Sequence, residues 1–452
     1  MFLMSLVKAL QDLPSDAPEV VVEGAFSKEF LKALGFENLE VVPGFKVGTK
    51  VVDHAARKNI DDDIFLHTRK NPYLYMEVKG RTWNLGDEKC ANYRNALLQL
   101  RGYLLHPSSK SVQWGILMNS LHVQLFRKHG KVIHPVTPCI PIDQDINSVV
   151  KRLKAIIEAP KKALTVVVYN NKGGVGKTTT TLNLAAALTL RKKRVLVIDF
   201  DPNQSDLGDA LNLKPLKGKV LDALKNKDIN IKDIITPYKF EHPKLPEPWG
   251  FDVVLADEKL VNEIDERDIR KHLRIHDLHK ALDSVRNDYD YILIDAPPNW
   301  RIFAQKAMYA SDVVLIPARH DNLHSLQNAG IAITQFIPEV QEEKRKQGEY
   351  GPIPLPIFMN NAFKETDHQI HLMHQAIRKI VEDVKQNSNS FNLAPYFYPK
   401  AKKGQSIDTS KMISIPHMAF ISRADFMHMP AAFAFKTVRE QYLNLALEYF
   451  LQ

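Results

Sequence analysis

The segment NKGGVGKTTT, residues 171–180, has the residue types and spacing of a phosphate-binding loop. Glycines let the backbone approach a polyphosphate closely, because a Cβ would hold it away. Lys177 could reach the β and γ phosphates, and Thr178 could bind Mg²⁺. The expected nucleotide-binding residues are Gly173, Gly174, Val175, Gly176, Lys177, Thr178 and Thr179. A glycine-rich turn with a chance lysine is the alternative, and the strand and helix patterns on either side count against it.

Apolar runs and helix-forming segments alternate from residue 164 onward. The run Thr165–Tyr169 precedes the loop and TLNLAAALTL follows it, so the loop joins a strand to a helix. The other strand-like runs are RVLVIDF, YILIDA, VVLIPA and LPIFMNN. Such alternation is typical of a parallel sheet covered by helices on both faces. We therefore predict an α/β fold with a mostly parallel sheet for residues 164–452.

The loop departs from the common pattern G-x-x-x-x-G-K-[ST], because position 171 is Asn171 instead of glycine and Lys172 follows it. A second lysine in the loop resembles the deviant signature of the ParA/MinD family of P-loop ATPases. Three further segments resemble motifs of that family in order and spacing. They are RVLVIDFDPNQSDL (194–207), YDYILIDAPPNW (289–300) and VVLIPARHDNLHSL (313–326). The resemblance covers about residues 164–452 and implies a P-loop NTPase fold.

The resemblance also implies an ATPase that uses ATP and Mg²⁺ and closes into a homodimer around ATP. In the family the extra lysine, here Lys172, crosses to the nucleotide of the partner subunit. Asp201 would orient the attacking water, so the expected catalytic residues are Lys172, Lys177 and Asp201. The residues expected on the metal side are Thr178, Asp199 and Asp295. These groups suit phosphoryl transfer, which depends mainly on positioning and charge neutralisation.

Two further positions are expected at the nucleotide. Pro297 lies in the Pro-Pro turn that follows the strand-end aspartate of the third motif. Asn360, at the end of the run LPIFMN, matches a family position that contacts adenine, and Asn361 is the alternative if the register shifts by one. A structural asparagine turn explains this position about as well.

Charge and cysteine content distinguish branches of the family. The net charge is +9, of which +7 lies after residue 150, and this suits sequence-independent binding to DNA phosphates. The candidate DNA-binding residues are Lys400, Lys402, Lys403, Lys411 and Arg423, with a merely solvated basic loop as the alternative.

Both cysteines, Cys90 and Cys139, precede the phosphate loop. Their position excludes the family branch with a cysteine-held iron–sulfur cluster and disfavours a glutaminase domain. The tail KTVREQYLNLALEYFLQ is more typical of a docked core helix than of a membrane helix.

The first 146 residues carry a second, weaker constellation. Asp63 begins one apolar strand, and Glu77 and Lys79 share a face of the next, since side chains alternate along a strand. Gln99 and Tyr103 share a helix face, four residues apart. This order resembles the PD-(D/E)xK nuclease superfamily, particularly the amino-terminal domain of type I restriction motor subunits. The resemblance implies Mg²⁺-dependent phosphodiester cleavage. The same fold also serves as an inert module that binds DNA or docks a protein. The acidic run at Asp63 could instead be a capped turn.

These interpretations divide the chain into a smaller α/β domain of restriction-endonuclease-like type (1–146), a linker helix (147–163) and a ParA-like ATPase domain (164–452). The leading expectation is a cytoplasmic ATPase that binds non-specific DNA as an ATP dimer, associates with the nucleoid, and positions or partitions a cargo. A cargo adaptor would stimulate hydrolysis, and no membrane partner is expected. The alternative is an ATP-regulated DNA nuclease or defence factor that uses the amino-terminal site.

Overall fold

The structure is a computed structural model that describes residues 2–142, 145–202, 206–214, 220–225, 229–241, 247–256, 273–362, 366–387, 391–402 and 404–452. Within these residues the chain forms two compact units. Unit 1 contains the residues up to 160, together with 345–350 and 450–452, and unit 2 contains residues 161–344 and 351–449. In the described part of the chain, no helix is both long and apolar enough to cross a membrane.

Unit 1 is built on a mixed sheet. Its described strands are β1 (Val41–Val47), β2 (Lys50–Ala56), β3 (Leu74–Val78), β4 (Trp114–Met118), β5 (His122–His129), β6 (Val132–Pro135) and β7 (Ile140–Pro141). They lie in the order β1-β2-β3-β4-β5-β6, with β7 beside β5. Strands β3 and β4 are parallel, and the other neighbours are antiparallel. Strand β3, which carries Glu77, therefore lies in the interior of the sheet.

Helices supply the side chains that pack on this sheet. The described helices are α1 (Phe2–Gln11), α2 (Glu19–Val21), α3 (Lys28–Ala33), α4 (Phe65–Thr68), α5 (Ala91–Leu104) and α6 (Ile146–Glu158), with a π-helical segment at Val22–Ser27. Leu74 and Met76 of β3 pack in one core with Phe26, whereas Tyr75 packs in a second core with Leu100 of α5. This alternation follows from the two-residue period of a strand, and it leaves both faces of β3 buried.

Helix α6 covers most of the segment that the sequence predicts as a linker. Its side chains Val149, Leu153 and Ile157 are buried in the same core as Phe26. The helix is thus part of unit 1, because its apolar face is needed to complete that core, and the chain passes into unit 2 after Pro160.

Unit 2 is built on a second sheet. Its described strands are β8 (Leu164–Val168), β9 (Val195–Asp199), β10 (Thr236–Phe240), β11 (Trp249–Val254), β12 (Tyr291–Asp295), β13 (Val313–Ala318), β14 (Ile353–Ala362) and β15 (Ile413–Pro416). The order is β10-β11-β9-β12-β8-β13-β14-β15, and every neighbouring pair is parallel except β10 and β11. The mostly parallel α/β sheet predicted from residue 164 onward is confirmed.

Helices pack around the sheet of unit 2. The described helices that follow α6 are α7 (Lys177–Leu190), α8 (Asp206–Ala210), α9 (Val220–Lys225), α10 (Asp277–Leu282), α11 (Ile302–Ala310), α12 (Leu323–Ile331), α13 (Ile337–Lys346), α14 (Asp367–Asn387), α15 (Ala394–Phe397), α16 (Phe420–Asp425), α17 (Ala431–Ala434) and α18 (Lys436–Tyr449). Helix α18 buries Val438, Tyr442 and Leu445 and packs against α7. The carboxyl-terminal helix therefore packs into unit 2, which is the arrangement that its mixed charge pattern predicts.

Candidate functional site

The phosphate loop connects β8 to α7 at the carboxyl edge of the parallel sheet. Strand β8 lies between β12 and β13, and its pairing with both is parallel. Gly174 and Gly176 have φ values of +73° and +82°, a region that side chains rarely adopt. A Cβ at Gly173 or Gly174 would meet no atom within 4 Å, so this side of the loop is open. The backbone is therefore bare on the side where a ligand would approach.

Gly176 is required for a second reason. A Cβ there would lie 2.2 Å from Nδ2 of Asn360, which donates a hydrogen bond of 2.8 Å to the carbonyl oxygen of Val175. Asn360 is 5% exposed and ends the buried part of β14. The predicted asparagine thus contacts the phosphate loop. Its neighbour Asn361 instead has φ +58°, and its Oδ1 accepts a 2.6 Å hydrogen bond from Nδ1 of His417.

Lys177 and Thr178 begin α7 and point into the site. Lys177 is 8% exposed, and its Nζ donates to the carbonyl oxygen of Lys172 at 3.3 Å. Burial lowers the pKa of Lys177, while the negative charges of Asp295 and Asp201 oppose that effect. Oγ1 of Thr178 donates a 2.6 Å hydrogen bond to Oδ2 of Asp295. The lysine and the two carboxylates are therefore close enough to influence one another electrostatically.

The three predicted aspartates meet at the same sheet edge. Asp199 and Asp295 end β9 and β12 and are direct neighbours in the parallel register. Asp201 is 8% exposed, and its N–H donates to Oδ1 of Asp199 at 3.3 Å. Burial, and then the charge of Asp295, raises the pKa of Asp199 well above its usual range. Oδ2 of Asp199 is buried and has no hydrogen-bond partner among the described residues.

These groups fit a Mg²⁺ ion that a bound nucleotide would complete. Mg²⁺ usually keeps several waters and takes one or two carboxylates together with substrate phosphates. Within the described ranges, no three His, Cys, Asp or Glu side chains are grouped so that they alone could hold a metal. A Mg²⁺ ion could take oxygen ligands from the buried Oδ2 of Asp199, the Thr178 hydroxyl and the Asp295 carboxylate. Waters and nucleotide phosphates would complete its coordination.

The remaining predicted positions lie around the same loop. Lys172 is half-buried, and its N–H donates to Oδ1 of Asn170 at 3.0 Å. Thr179 is half-buried and its carbonyl oxygen accepts a 2.8 Å hydrogen bond from Nδ2 of Asn183. Pro297 is buried two residues beyond the end of β12. Sequence reasoning missed Asn170. A polar residue at the end of an otherwise apolar strand was the signal that could have pointed to it.

Comparisons with known proteins place this region in a family. The sequence model of a family described as "AAA domain" matches residues 163–349. The chromosome partitioning protein ParA of Myxococcus xanthus is 38% identical over 217 residues, which are 48% of this chain and 69% of that protein. This chain belongs to the ParA/MinD family. The resemblance inferred from the loop and its three companion motifs is thereby confirmed.

Another relative and two solved structures are also similar to part of the chain. The sporulation initiation inhibitor protein Soj of Bacillus subtilis is 36% identical over 155 residues, which are 34% of this chain and 57% of Soj. Among solved structures, the ATP complex of a Cyanothece McdA variant has a TM-score of 0.47 at 17% identity and covers 65% of this chain and 98% of that one. The structure of pNOB8 ParA bound to nonspecific DNA has a TM-score of 0.41 at 22% identity, with coverage of 63% and 99%.

The basic residues predicted to bind DNA lie in two places of the ParA/MinD-family unit. Lys400 and Lys411 are brought together because the N–H of Lys400 donates to the carbonyl oxygen of Lys411 at 3.2 Å. Lys400 also forms a 3.5 Å ion pair with Glu448, whereas Lys402 is exposed. Arg423 is exposed on α16, with its guanidinium 5.8 Å from the ring centre of Phe435. The fifth candidate, Lys403, lies outside the described residues.

Unit 1 brings most of its predicted acid–lysine site together. Lys79 Nζ lies 2.6 Å from Oε1 of Glu77 and 3.2 Å from Oε2 of Glu19. Oδ2 of Asp53 accepts a 2.7 Å hydrogen bond from the N–H of Val78. Burial raises the pKa of Glu77 to about 7, with Asp53 adding to the effect, and burial raises the pKa of Asp53 to about 6. Asp53 and Glu19 were missed because an aspartate or glutamate within a strand or helix has no local signature.

Gln99 and Tyr103 lie beside this acid–lysine site. Nε2 of Gln99 donates a 3.0 Å hydrogen bond to the Tyr103 hydroxyl. Burial raises the pKa of Tyr103, and the negative charges of Glu77 and Asp53 raise it further. The helix α5 thus places both residues on the face of the sheet toward which Glu77 points.

Asp63 does not join this site, and Asp53 takes the place that the sequence suggested for it. The Asp63 carboxylate accepts hydrogen bonds from Arg57 at 2.7 Å and from Thr68 at 2.8 Å. These two donors, Arg57 first, lower the pKa of Asp63 to about 2. The reason is register: β2 pairs antiparallel with β3 and brings Asp53 beside Glu77, whereas Asp63 lies in a turn beyond the end of β2.

Proposed function

We propose that this protein is a ParA-like ATPase that binds DNA without sequence preference as an ATP-bound homodimer and positions or partitions a cargo through ATP hydrolysis. The observation that carries the proposal is the phosphate loop with its second lysine, Lys172, beside the strand-end pair Asp199 and Asp295. The names of the relatives in M. xanthus and B. subtilis, which describe chromosome partitioning and sporulation control, support a role in positioning.

The chain's own residues account for nucleotide binding and hydrolysis as follows. The bare glycine backbone and the start of α7 receive the phosphates, with Lys177 on the β and γ groups. Bound Mg²⁺ neutralises phosphate charge, and Thr178, Asp199 and Asp295 would hold it. Asp201, directly beyond β9, orients the water that attacks the γ phosphate. Asn360 holds the carbonyl oxygen of Val175, and so the loop, through a hydrogen bond. Its proposed second role is a contact with the adenine base.

Dimerisation and DNA binding complete the cycle. Lys172 reaches the triphosphate held by the partner subunit, so ATP stabilises the dimer and hydrolysis releases it. The positive residues Lys400, Lys402, Lys411 and Arg423 face DNA phosphates, in keeping with the charge of +7 after residue 150. The protein associates with the nucleoid in the ATP state, and a cargo adaptor accelerates hydrolysis.

DNA retention against nucleotide and salt tests this proposal. We expect the full chain to be retained on DNA with ATP and Mg²⁺ but not with ADP, and binding to weaken by at least about tenfold between 50 and 200 mM salt. Lys402→Ala should weaken binding to all sequences and reduce the salt slope by about one. Arg191→Ala, which removes one charge at the exposed end of α7, is the matched control and should bind like the wild type. DNA retention that is equal with ATP and with ADP would overturn the proposal.

A second candidate function is cleavage of DNA by unit 1. The observation that favours it is the group of buried Glu77 and Lys79 with half-buried Asp53, because two carboxylates and a lysine can hold Mg²⁺ and activate water. We propose this activity as the alternative, with ATP acting as a switch. The same unit could also bind DNA or dock a protein without cleavage.

Glu77→Ala tests the cleavage activity with supercoiled DNA, Mg²⁺ and ATP. If unit 1 cleaves, nicking should fall by at least about 100-fold, since a group that activates water contributes roughly 10²–10⁴-fold. Asp63→Ala is the matched control, because its carboxylate is committed to Arg57 instead. We expect the control to nick at the wild-type rate. No nicking by the wild-type protein in any nucleotide state, or nicking that survives Glu77→Ala, would eliminate this alternative.

A further inference from the structure

Asn170 joins three separate segments through one side chain. It is 0% exposed and lies two residues beyond the end of β8. Its Oδ1 accepts a 3.0 Å hydrogen bond from the N–H of Lys172. Its Nδ2 donates to the carbonyl oxygens of Pro317 at 2.8 Å and Ser325 at 3.1 Å. The amide therefore connects the start of the phosphate loop to the end of β13 and to the first turn of α12.

The turn between β13 and α12, which Asn170 contacts, is held by hydrogen bonds of its own. The side chain of Asn322 caps α12 by accepting a 2.9 Å hydrogen bond from the N–H of Ser325. Oγ of Ser325 accepts a 2.8 Å hydrogen bond from the N–H of Arg319. The turn between β13 and α12 is thus closed by its own hydrogen bonds, and Asn170 is anchored to a structure that resists displacement.

The chemistry of the contact requires an amide. Asn170 acts as an acceptor for one N–H and as a donor of two protons to two carbonyl oxygens. A carboxylate could not donate, and an apolar side chain would leave buried polar backbone groups without partners, each at a cost of about 1–3 kcal/mol. Asparagine is the side chain of this size that supplies both functions at once.

The residue that Asn170 holds most directly is Lys172. The N–H of Lys172 is bound by Asn170, and its carbonyl oxygen accepts from Nζ of Lys177 at 3.3 Å. Both polar backbone groups of Lys172 are therefore anchored, and the direction in which its side chain leaves the loop is set by these two contacts. The contact to Lys177 remains when Asn170 is removed, so the two anchors can be separated by mutation.

We propose that Asn170 is a positioning residue that aims Lys172 at the triphosphate of the partner subunit and so controls ATP-dependent dimerisation more than nucleotide binding by a single chain. This inference rests on the proposed function. Loss of the amide frees the N–H of Lys172 while Lys177, Thr178 and the carboxylates stay in place. The single chain keeps its nucleotide site, and the dimer loses a well-placed contact.

The test compares Asn170→Ala with Asn183→Ala in the full chain. Asn183 is the matched control, because it is 3% exposed and its amide bonds the carbonyl oxygen of Thr179 and the N–H of Ala432 at 2.8 Å each, away from Lys172. The readouts are the thermal midpoint, the ATP dissociation constant at a protein concentration below dimerisation, and the concentration for half-maximal dimer with a nonhydrolysable ATP analogue. If Asn170→Ala does not fold, Asn170→Ser replaces it.

We expect both variants to lose thermal stability to a similar extent. Asn170→Ala should raise the half-dimerisation concentration at least about tenfold and change the ATP dissociation constant less than about threefold. In a Lys172→Ala background the additional effect of Asn170→Ala on dimerisation should vanish, because Asn170 affects dimerisation through Lys172. Dimerisation of Asn170→Ala that matches Asn183→Ala, or an undiminished effect without Lys172, would overturn the inference. A wild-type protein that does not dimerise with the analogue would instead overturn the proposed function.

Discussion

Lys177→Ala is expected to abolish ATP binding. Lys177 is 8% exposed at the start of α7. We propose that its ammonium reaches the β and γ phosphates from this position. A hydrogen bond to a charged group contributes about 1.5–3 kcal/mol, so loss of the contacts to two phosphates should lower the affinity by at least roughly 100-fold. Titration calorimetry with ATP and Mg²⁺ on the full chain measures this directly.

Lys177→Gln separates the charge of this residue from its packing. The glutamine fills most of the buried volume without an ammonium, so it should lose ATP binding as the alanine variant does. Burial lowers the pKa of Lys177, which means that the protonated side chain costs the nucleotide-free fold some stability. The thermal midpoint without nucleotide should therefore stay near that of the wild type or rise. ATP affinity within tenfold of the wild type in either variant would contradict this role of Lys177.

Asp201→Ala is expected to stop hydrolysis and to trap a DNA-bound dimer. Asp201 lies two residues beyond the end of β9 and is 8% exposed, and its N–H donates to Asp199, a proposed ligand of Mg²⁺. A group that positions or deprotonates the attacking water accounts for about 10²–10⁴-fold in rate, so phosphate release should fall by that order. Because ATP remains bound, the dimer should persist on DNA and resist the salt and dilution that release the wild type.

The trapped state can be read by two measurements. Phosphate release reports the chemical step, and sedimentation with ATP reports the oligomeric state in the same buffer. Asp209→Ala is a suitable control, since Asp209 is an exposed aspartate of α8 in the same segment. It should hydrolyse ATP and leave DNA as the wild type does. Free monomers of Asp201→Ala in the presence of ATP would contradict the proposed cycle.

The phosphate site was largely predictable from sequence because its determinants are local. Gly174 and Gly176 adopt left-handed backbone conformations within the loop itself. Asp199 and Asp295 end apolar runs, and parallel strands bring their carboxyl ends to one edge of a sheet. A pattern that combines a strand, a glycine turn and a helix start therefore specifies both the fold class and the groups that converge on a phosphate.

The contacts that brace the site were not predictable in the same way. Asn170 meets Pro317 and Ser325, which are 147 and 155 residues away in the chain, and Asn360 meets Val175 across 185 residues. Asparagine at the end of a strand is common, and its partners depend on which strands become neighbours. Sequence reasoning proposed a base contact for Asn360 and did not anticipate its hydrogen bond to the loop.

Unit 1 shows the same division between local pattern and tertiary placement. The alternation of side chains along β3 correctly indicates that Glu77 and Lys79 face the same way, and the structure joins them at 2.6 Å. Asp63 was chosen as their companion, but its carboxylate is bound by Arg57, and the antiparallel pairing of β2 with β3 brings Asp53 beside Glu77 instead. No spacing along the chain reveals which strand will be the neighbour.

The sequence by itself determined the phosphate loop, its second lysine, the strand-end aspartates and the mostly parallel α/β sheet of unit 2, because each follows from the order of residue types within a short segment. Only the tertiary structure decided that helix α6 packs into unit 1, that Asp53 replaces Asp63, and that Asn170 and Asn360 hold the loop. These outcomes depend on strand order, register and the burial of side chains from distant segments, which arise when the whole chain packs.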